Sequence, residues 1–301
     1  MTKETLAAVA LKLVKYEIPD SAKTYKPHAP FIARVRANER LTEEGTQVDI
    51  RNIVLDLSES GIQYIEGQSI GVIPPRIQAD APPPRPRLYS IASSRTGENG
   101  CNQTVTLCVK RVQFTDDSGA EVRGLASNYI CDLQVGDSVQ IIGPAGRTFF
   151  LPADDTVNLI MVAAGTGIAP FRAFIQRIYR DKKHWEGRVR LFYGVRTPME
   201  SAYMNSKNDD IAQYMSHETF EAFQAFSDAE KSRRVYVQDQ ISNNKEEVCN
   251  MIAEGNFSFY LCGMKAMEQG VEAVLQSHFG EEWPAMRARF KAEGRWNSET
   301  Y

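Results

Sequence analysis

Four segments concentrate side chains able to bind and act on a phosphorylated, ring-containing ligand. Arg87-Leu88-Tyr89-Ser90 offers a guanidinium fork for phosphate, a flat ring for stacking and a hydroxyl donor. On a strand, Arg87 and Tyr89 share a face and Ser90 lies opposite. Gly165-Thr166-Gly167-Ile168-Ala169-Pro170 follows an apolar run, Val157–Ala163. Its glycines admit a phosphate close to the backbone, the helix start beyond it offers unpaired N–H groups, and Pro170 suits a first helical turn. Gly124-Leu125-Ala126-Ser127 precedes a short apolar helical stretch through Leu133, which Ser127 is placed to cap, with N–H groups for a second phosphate. Cys262 ends the run Tyr260-Leu261-Cys262-Gly263 at the carboxyl edge expected of a parallel strand, where open α/β sheets hold ligands. Singly, each also fits an ordinary role: a surface Arg, a tight turn, a cap, a buried thiol.

These residues need two kinds of scaffold. From Ala29 to Leu151 the chain alternates in short β-like runs, Phe31–Val35, Gln47–Leu57, Gln68–Ile73, Arg87–Ile91, Thr104–Val112 and Ser138–Ile142, separated by Gly, Pro and Asp. Six such runs predict a small antiparallel barrel. From Asp155 the rhythm becomes β-α-β. Val157–Ala163, Val189–Tyr193, Arg234–Val237 and Phe257–Leu261 are strand candidates, and Phe171, Phe174, Ile175, Ile178 and Tyr179 recur at helical spacing. That predicts an open parallel sheet with helices on both faces. The expected division is an N-terminal extension over 1–26, a barrel domain over 27–152 and an α/β domain over 153–301. Leu6, Val9, Ala10, Leu13 and Val14 mark one apolar face of a short helix in the extension, packed on its own domain or docked on a partner or membrane surface. Pro82–Pro86 reads as a stiff exposed loop.

Thirty-five basic and 38 acidic residues leave a net charge of −3, which gives no reason to expect nucleic-acid binding. No apolar run approaches the ~20 residues of a membrane span. Five cysteines without a C-x-x-C pair argue against a zinc ribbon or an iron–sulfur cluster held by this chain, and no metal is called for. They fit a reducing cytosol or plastid stroma.

Taken in order, Glu66-Gly67-Gln68-Ser69-Ile70-Gly71-Val72-Ile73-Pro74, Arg87 through Ser94, Cys108-Val109-Lys110-Arg111, Ser127 through Leu133, Gly165 through Arg172, Cys262-Gly263 and the final Tyr301 resemble plant-type ferredoxin–NADP(+) reductases over residues 25–301. The resemblance implies an FAD-binding antiparallel barrel followed by an NADP(H)-binding α/β domain. It implies that Arg87 and Ser127 hold the FAD pyrophosphate, Tyr89 and Tyr301 cover the two faces of the isoalloxazine, and Ser90 bonds its N5. Leu88, Cys108, Val109, Lys110, Gly124, Leu125, Ala126, Thr166 and Gly167 complete the FAD site. Phe114 stands where the family usually stacks a Tyr on the adenine.

For NADP(H) the resemblance implies Lys110, Gly165, Thr166, Gly167, Val195, Arg196, Ser227, Asp228, Arg233, Arg234, Tyr236, Gly263, Met264 and Glu299. Ser90, Cys262, Glu299 and Tyr301 form the implied catalytic group, with Tyr301 moving aside for the nicotinamide. The family reads the adenosine 2′-phosphate with a Ser-Arg pair; here Asp228 follows Ser227. Arg234 and Tyr236 keep the family's later spacing, and Lys231 and Arg233 add charge, so NADP(H) is favoured over NAD(H). The one-electron partner must then be another protein, an acidic ferredoxin or flavodoxin, steered by Arg76, Arg85, Arg87 and Arg95. The alternatives are a reductase component serving an oxygenase or haem protein, and a non-catalytic flavin sensor.

Overall fold

The computed structural model describes residues 22–76, 82–228 and 234–301. The apolar face expected over Leu6–Val14, and Lys231 and Arg233, lie outside the described residues. β1 (Phe31–Arg40), β2 (Ile50–Asp56), β3 (Ser69–Ile73), β4 (Arg87–Ser90), β5 (Thr104–Lys110) and β8 (Ser138–Ala145) form one antiparallel sheet in the order β4-β3-β8-β1-β2-β5. Its two edges meet at an Ile91–Leu107 bridge, which closes the expected barrel. Alternate residues point inward, among them Ala33, Val35, Ile53, Leu55, Leu107, Val109 and Ile141. β6 (Gln113–Thr115) and β7 (Glu121–Arg123) form a small hairpin leading into helix α1 (Leu125–Asp132).

The second sheet is parallel. It comprises β9 (Asn158–Ala164), β10 (Val189–Val195), β11 (Phe220–Phe226), β12 (Phe257–Gly263) and β13 (Trp296–Thr300), in the order β11-β10-β9-β12-β13. Central β9 is covered on both faces, which is why its sequence is an unbroken apolar run. Leu159, Met161 and Ala163 face α2 (Ala169–Ile175) and share a core with Leu41, Ile50 and Cys108 of the barrel. Ile160 and Val162 face α3 (Val237–Asn243), α4 (Lys245–Ala253), α5 (Lys265–Phe279) and α6 (Trp283–Ala292). No helix among the described residues is long and apolar enough to cross a membrane.

Four features differ from the sequence reading. Arg234–Val237 is not a strand: Val237 opens α3, and Asp239 Oδ2 accepts the Tyr236 N–H at 2.8 Å as a helix-entry bond. The strand paired with β10 is Phe220–Phe226, an edge strand whose polar Glu221 and Gln224 mask its periodicity. Ser127 is not the cap of α1. Gly124 is, and Ser127 lies within the first turn, its Oγ accepting from Val112 N at 3.2 Å and lying 3.3 Å from Gly124 O. The polar run at β13 adds an unforeseen fifth strand beside β12.

The barrel and the parallel sheet are clamped together by one buried guanidinium. Arg172 of α2 is 5% exposed; its Nη1 donates to Ala92 O at 2.8 Å and to Glu98 Oε1 at 2.7 Å. Nη2 donates to Glu98 Oε2, Nε to Asp210, and the guanidinium lies over the Tyr203 ring. Burial pushes the Glu98 carboxyl up, but the Arg172 charge and hydrogen bonds outweigh it and hold it below the ordinary carboxylate range. A second seam joins Thr46 Oγ1 to Glu200 Oε1 at 3.1 Å and Tyr203 OH to Asn52 Oδ1 at 2.8 Å.

Candidate active site

A cavity of about 670 Å³ opens where β4 and the end of β5 face the carboxyl edge of the parallel sheet. Arg87, Leu88, Tyr89 and Ser90 all line it, and Ser90 is not set apart as alternation alone suggests. Cys108 and Lys110 join them from β5, and Gly124, Leu125, Ala126 and Ser127 from the start of α1. The parallel-sheet side supplies Thr166, Cys262 and Tyr301. Burial is the main cause that raises the Tyr89 hydroxyl to about 12, so the ring stays neutral.

A second cavity, about 430 Å³, runs along the same sheet edge. Gly165, Thr166, Val195, Arg196, Ser227, Tyr236 and Met264 line it, with Val48, Ile50 and Lys110 from the barrel side. Gly165, at φ +57°, makes the turn out of β9. Lys110, Thr166 and Tyr301 line both cavities and so mark their junction. Tyr301 is tied by its N–H to Gly263 O at 2.9 Å and by its hydroxyl to Thr166 Oγ1 at 3.0 Å, while the residue is 71% exposed. The ring is thus placed at the junction by light restraints.

Beside it, the parallel register sets Cys262 opposite Glu299, and Ser90 Oγ donates to Glu299 Oε2 at 3.5 Å across the two sheets. Burial raises the Glu299 carboxyl and the Ser90 hydrogen bond partly opposes it. Burial, then the nearby Glu299 and Cys108, push the Cys262 thiol well above its ordinary value. Burial therefore favours the neutral thiol.

Several sequence candidates line neither cavity. Val109 points into the barrel core, and Phe114 stands 54% exposed on β6. Gly167 packs where a Cβ would lie 1.9 Å from Cys262 O, so its small size serves the contact of turn and strand. Gly263 abuts Ala164 in the same way. Asp228 and Arg234 lie outside the lining of the second cavity, and Asp228 pairs with Arg196. Arg95 is held by buried Glu66 at 2.6 Å, which neutralises it and removes it from the exposed basic group around Arg85 and Arg87. Sequence reasoning missed Val48, Ile50 and Glu200 in the second cavity. The first two read only as strand residues, and nothing about Glu200 marks a buried carboxylate. Among the described residues the one His–carboxylate cluster, Asp155, His184 and Glu186, sits at the amino-terminal edge of the sheet, away from both cavities.

Comparison with known proteins agrees with this architecture. Residues 39–150 match the oxidoreductase FAD-binding domain family and residues 161–273 the oxidoreductase NAD-binding domain family. The cyanelle ferredoxin–NADP reductase of Cyanophora paradoxa is 38% identical over 286 residues, spanning 92% of this chain and 78% of that protein. The ferredoxin–NADP reductase of Spirulina sp. is 35% identical over 297 residues, spanning 95% of this chain and all of that protein. The ferredoxin–NADP+ reductase structure from Plasmodium falciparum shares the fold, with a TM-score of 0.73, 24% identity and coverage of 94% of this chain and 100% of that one. The family models and the relatives agree over both sheets, and the chain belongs to the ferredoxin–NADP reductase family.

Proposed function

We propose that this chain is an FAD-dependent oxidoreductase that exchanges hydride with NADP(H) and single electrons with ferredoxin or flavodoxin. The carrying observation is that two ligand-sized cavities meet at Lys110, Thr166 and Tyr301, with the Ser90–Glu299 bond beside the junction. The larger cavity fits FAD in volume and donor set: a guanidinium at Arg87, the first turn of α1 with Ser127, and two rings, Tyr89 and Tyr301, on its walls. When bound, FAD supplies the chemistry that links two-electron exchange with a nicotinamide to one-electron exchange with an iron–sulfur protein.

The chain's own residues do the rest. Arg87 and Ser127 anchor phosphates, and Tyr89 gives a neutral stacking face. Gly165 and Thr166 receive the nicotinamide nucleotide, with Val195, Ser227 and Tyr236 along its length. Tyr301 closes the junction until a nicotinamide displaces it. Ser90 orients the Glu299 carboxyl, whose raised pKa suits it to hold a proton near the reacting ring. Exposed Arg85 at the cavity mouth supplies positive charge to the rim an acidic carrier would meet.

The division into an FAD domain over 27–152 and an NADP(H) domain over 153–301 is supported by β8 ending at Ala145 and β9 starting at Asn158. A bacterial cytosol or a plastid stroma is supported by relatives from a cyanobacterium and a cyanelle. The second cavity disfavours a non-catalytic flavin sensor, which has no use for it. The test is to release the flavin by heat, identify it by chromatography, and assay NADPH-dependent cytochrome reduction with ferredoxin and with flavodoxin. One FAD per chain and carrier-dependent reduction are expected; FMN, or no reduction with either carrier, contradicts the proposal.

A further inference from the structure

The second cavity carries two positive side chains among the described residues that line it, Lys110 and Arg196. Lys110 also lines the first cavity, so it belongs to the junction. Arg196 is therefore the one described lining cation at the far end, beside Ser227 and Tyr236. Its place is set by backbone. Beyond the β10–β11 pairing, Ser227 N donates to Val195 O at 3.0 Å and Asp228 N to Arg196 O at 2.8 Å. This ladder sets Asp228 beside Arg196, and Arg196 Nη2 donates to Asp228 Oδ2 at 3.0 Å. Asp228 itself does not line the cavity.

We propose that Arg196 is the residue that selects a 2′-phosphorylated adenosine, and that Asp228 orients this guanidinium rather than binding the ribose. The inference deepens the reading of the second cavity as an NADP(H) site and rests on it. Asp228 engages one nitrogen of a five-donor fork, which leaves donors for a dianion. The two side chains are 63% and 47% exposed, and an ion pair so exposed is weak enough for a phosphate to reshape. Glu200, the other charged lining residue, is bonded to Thr46 and is held by that contact on the barrel side.

The test uses the flavin-loaded protein and two probes, adenosine 2′,5′-bisphosphate and adenosine 5′-monophosphate, titrated by calorimetry. The parent should bind the bisphosphate about tenfold tighter or more, as one charge-assisted phosphate contact allows. Arg196→Ala should bring the two affinities to within about twofold, and Arg196→Lys, a point charge without the fork, should fall between. Asp228→Asn keeps an acceptor for Arg196 and removes a repelling charge, so it should tighten the bisphosphate by about threefold and leave the monophosphate unchanged. An unchanged preference in Arg196→Ala, no preference in the parent, or a weaker monophosphate in Asp228→Asn overturns the inference; the last result would make Asp228 a ribose ligand. If NADPH still bleaches the flavin while these ratios fail, the site reading stands and only the role of Arg196 falls.

Discussion

Tyr301 is held at the junction by one hydroxyl contact to Thr166 and one backbone bond to Gly263. In the proposed function, a ring restrained so lightly yields its place to a nicotinamide and competes with one while it stays. Tyr301→Ser should therefore tighten NADP+ binding by about fivefold, the worth of one stacking contact, and lower kcat, because an over-stabilised ground state raises the barrier above it. Difference spectroscopy and steady-state turnover check this; unchanged affinity and turnover would contradict the covering role. Ser90 and Glu299 make a second prediction. Burial raises the Glu299 carboxyl from its ordinary 4.5, and the Ser90 hydrogen bond lowers it in part. Because the protonated carboxyl is the working form, kcat should fall as pH rises through a limb above 4.5, and this limb should move upward in Ser90→Ala and vanish in Glu299→Gln. Ser90→Ala should also cost about 100-fold in flavin reduction by NADPH, the scale of one lost proton-handling group. A limb that survives Glu299→Gln would assign it to another residue.

At the level of elements, the clamp around Arg172 is one of the buried contacts that set how the barrel and the parallel sheet face each other. Arg172→Met leaves Glu98 and Asp210 without their cation, and removing one partner of a buried pair costs about 3–5 kcal/mol. Urea denaturation monitored by tryptophan fluorescence should show that loss, with early release of flavin; a midpoint within error of the parent would contradict the clamp. The Glu98 carboxyl titrates below its ordinary 4.5 in the folded protein, so its contribution is complete above 4.5 and is lost as pH falls through the lower folded value. Acid should therefore loosen the seam before it unfolds either sheet.

The barrel strands were legible because one buried face imposes period two, and β9 because burial on both faces imposes an apolar run. Edge strands carry a weaker imprint: β11 and β13 mix Glu, Gln, Asn and Ser into half-solvated positions. Val235 and Val237 imitate a strand where a helix begins. Arg87, Tyr89, Ser127, Thr166 and Cys262 were legible as site candidates from motif order, and the structure gathers them around one cavity. Arg196 and Asp228 were legible singly, but their ion pair and Glu200 were not, because each depends on a contact between segments distant in sequence.

Across the whole molecule, two cavities built by two different sheets share a wall of three residues, Lys110, Thr166 and Tyr301. That shared wall predicts that a nicotinamide bound in one cavity reaches a flavin bound in the other without release of either. The choice between NADPH and NADH follows from the far end of the second cavity. NADPH should be preferred in kcat/KM by at least about tenfold, ~1.4 kcal/mol of differential binding, and Asp228→Arg should widen that margin. Equal or better use of NADH would contradict it. The most direct test of the shared wall is an anaerobic titration of the purified yellow protein with NADPH, followed at the flavin absorption band. Stoichiometric bleaching, one NADPH per bound flavin, is the predicted result; a flavin that stays oxidised with excess NADPH, although NADP+ binds, would contradict the account.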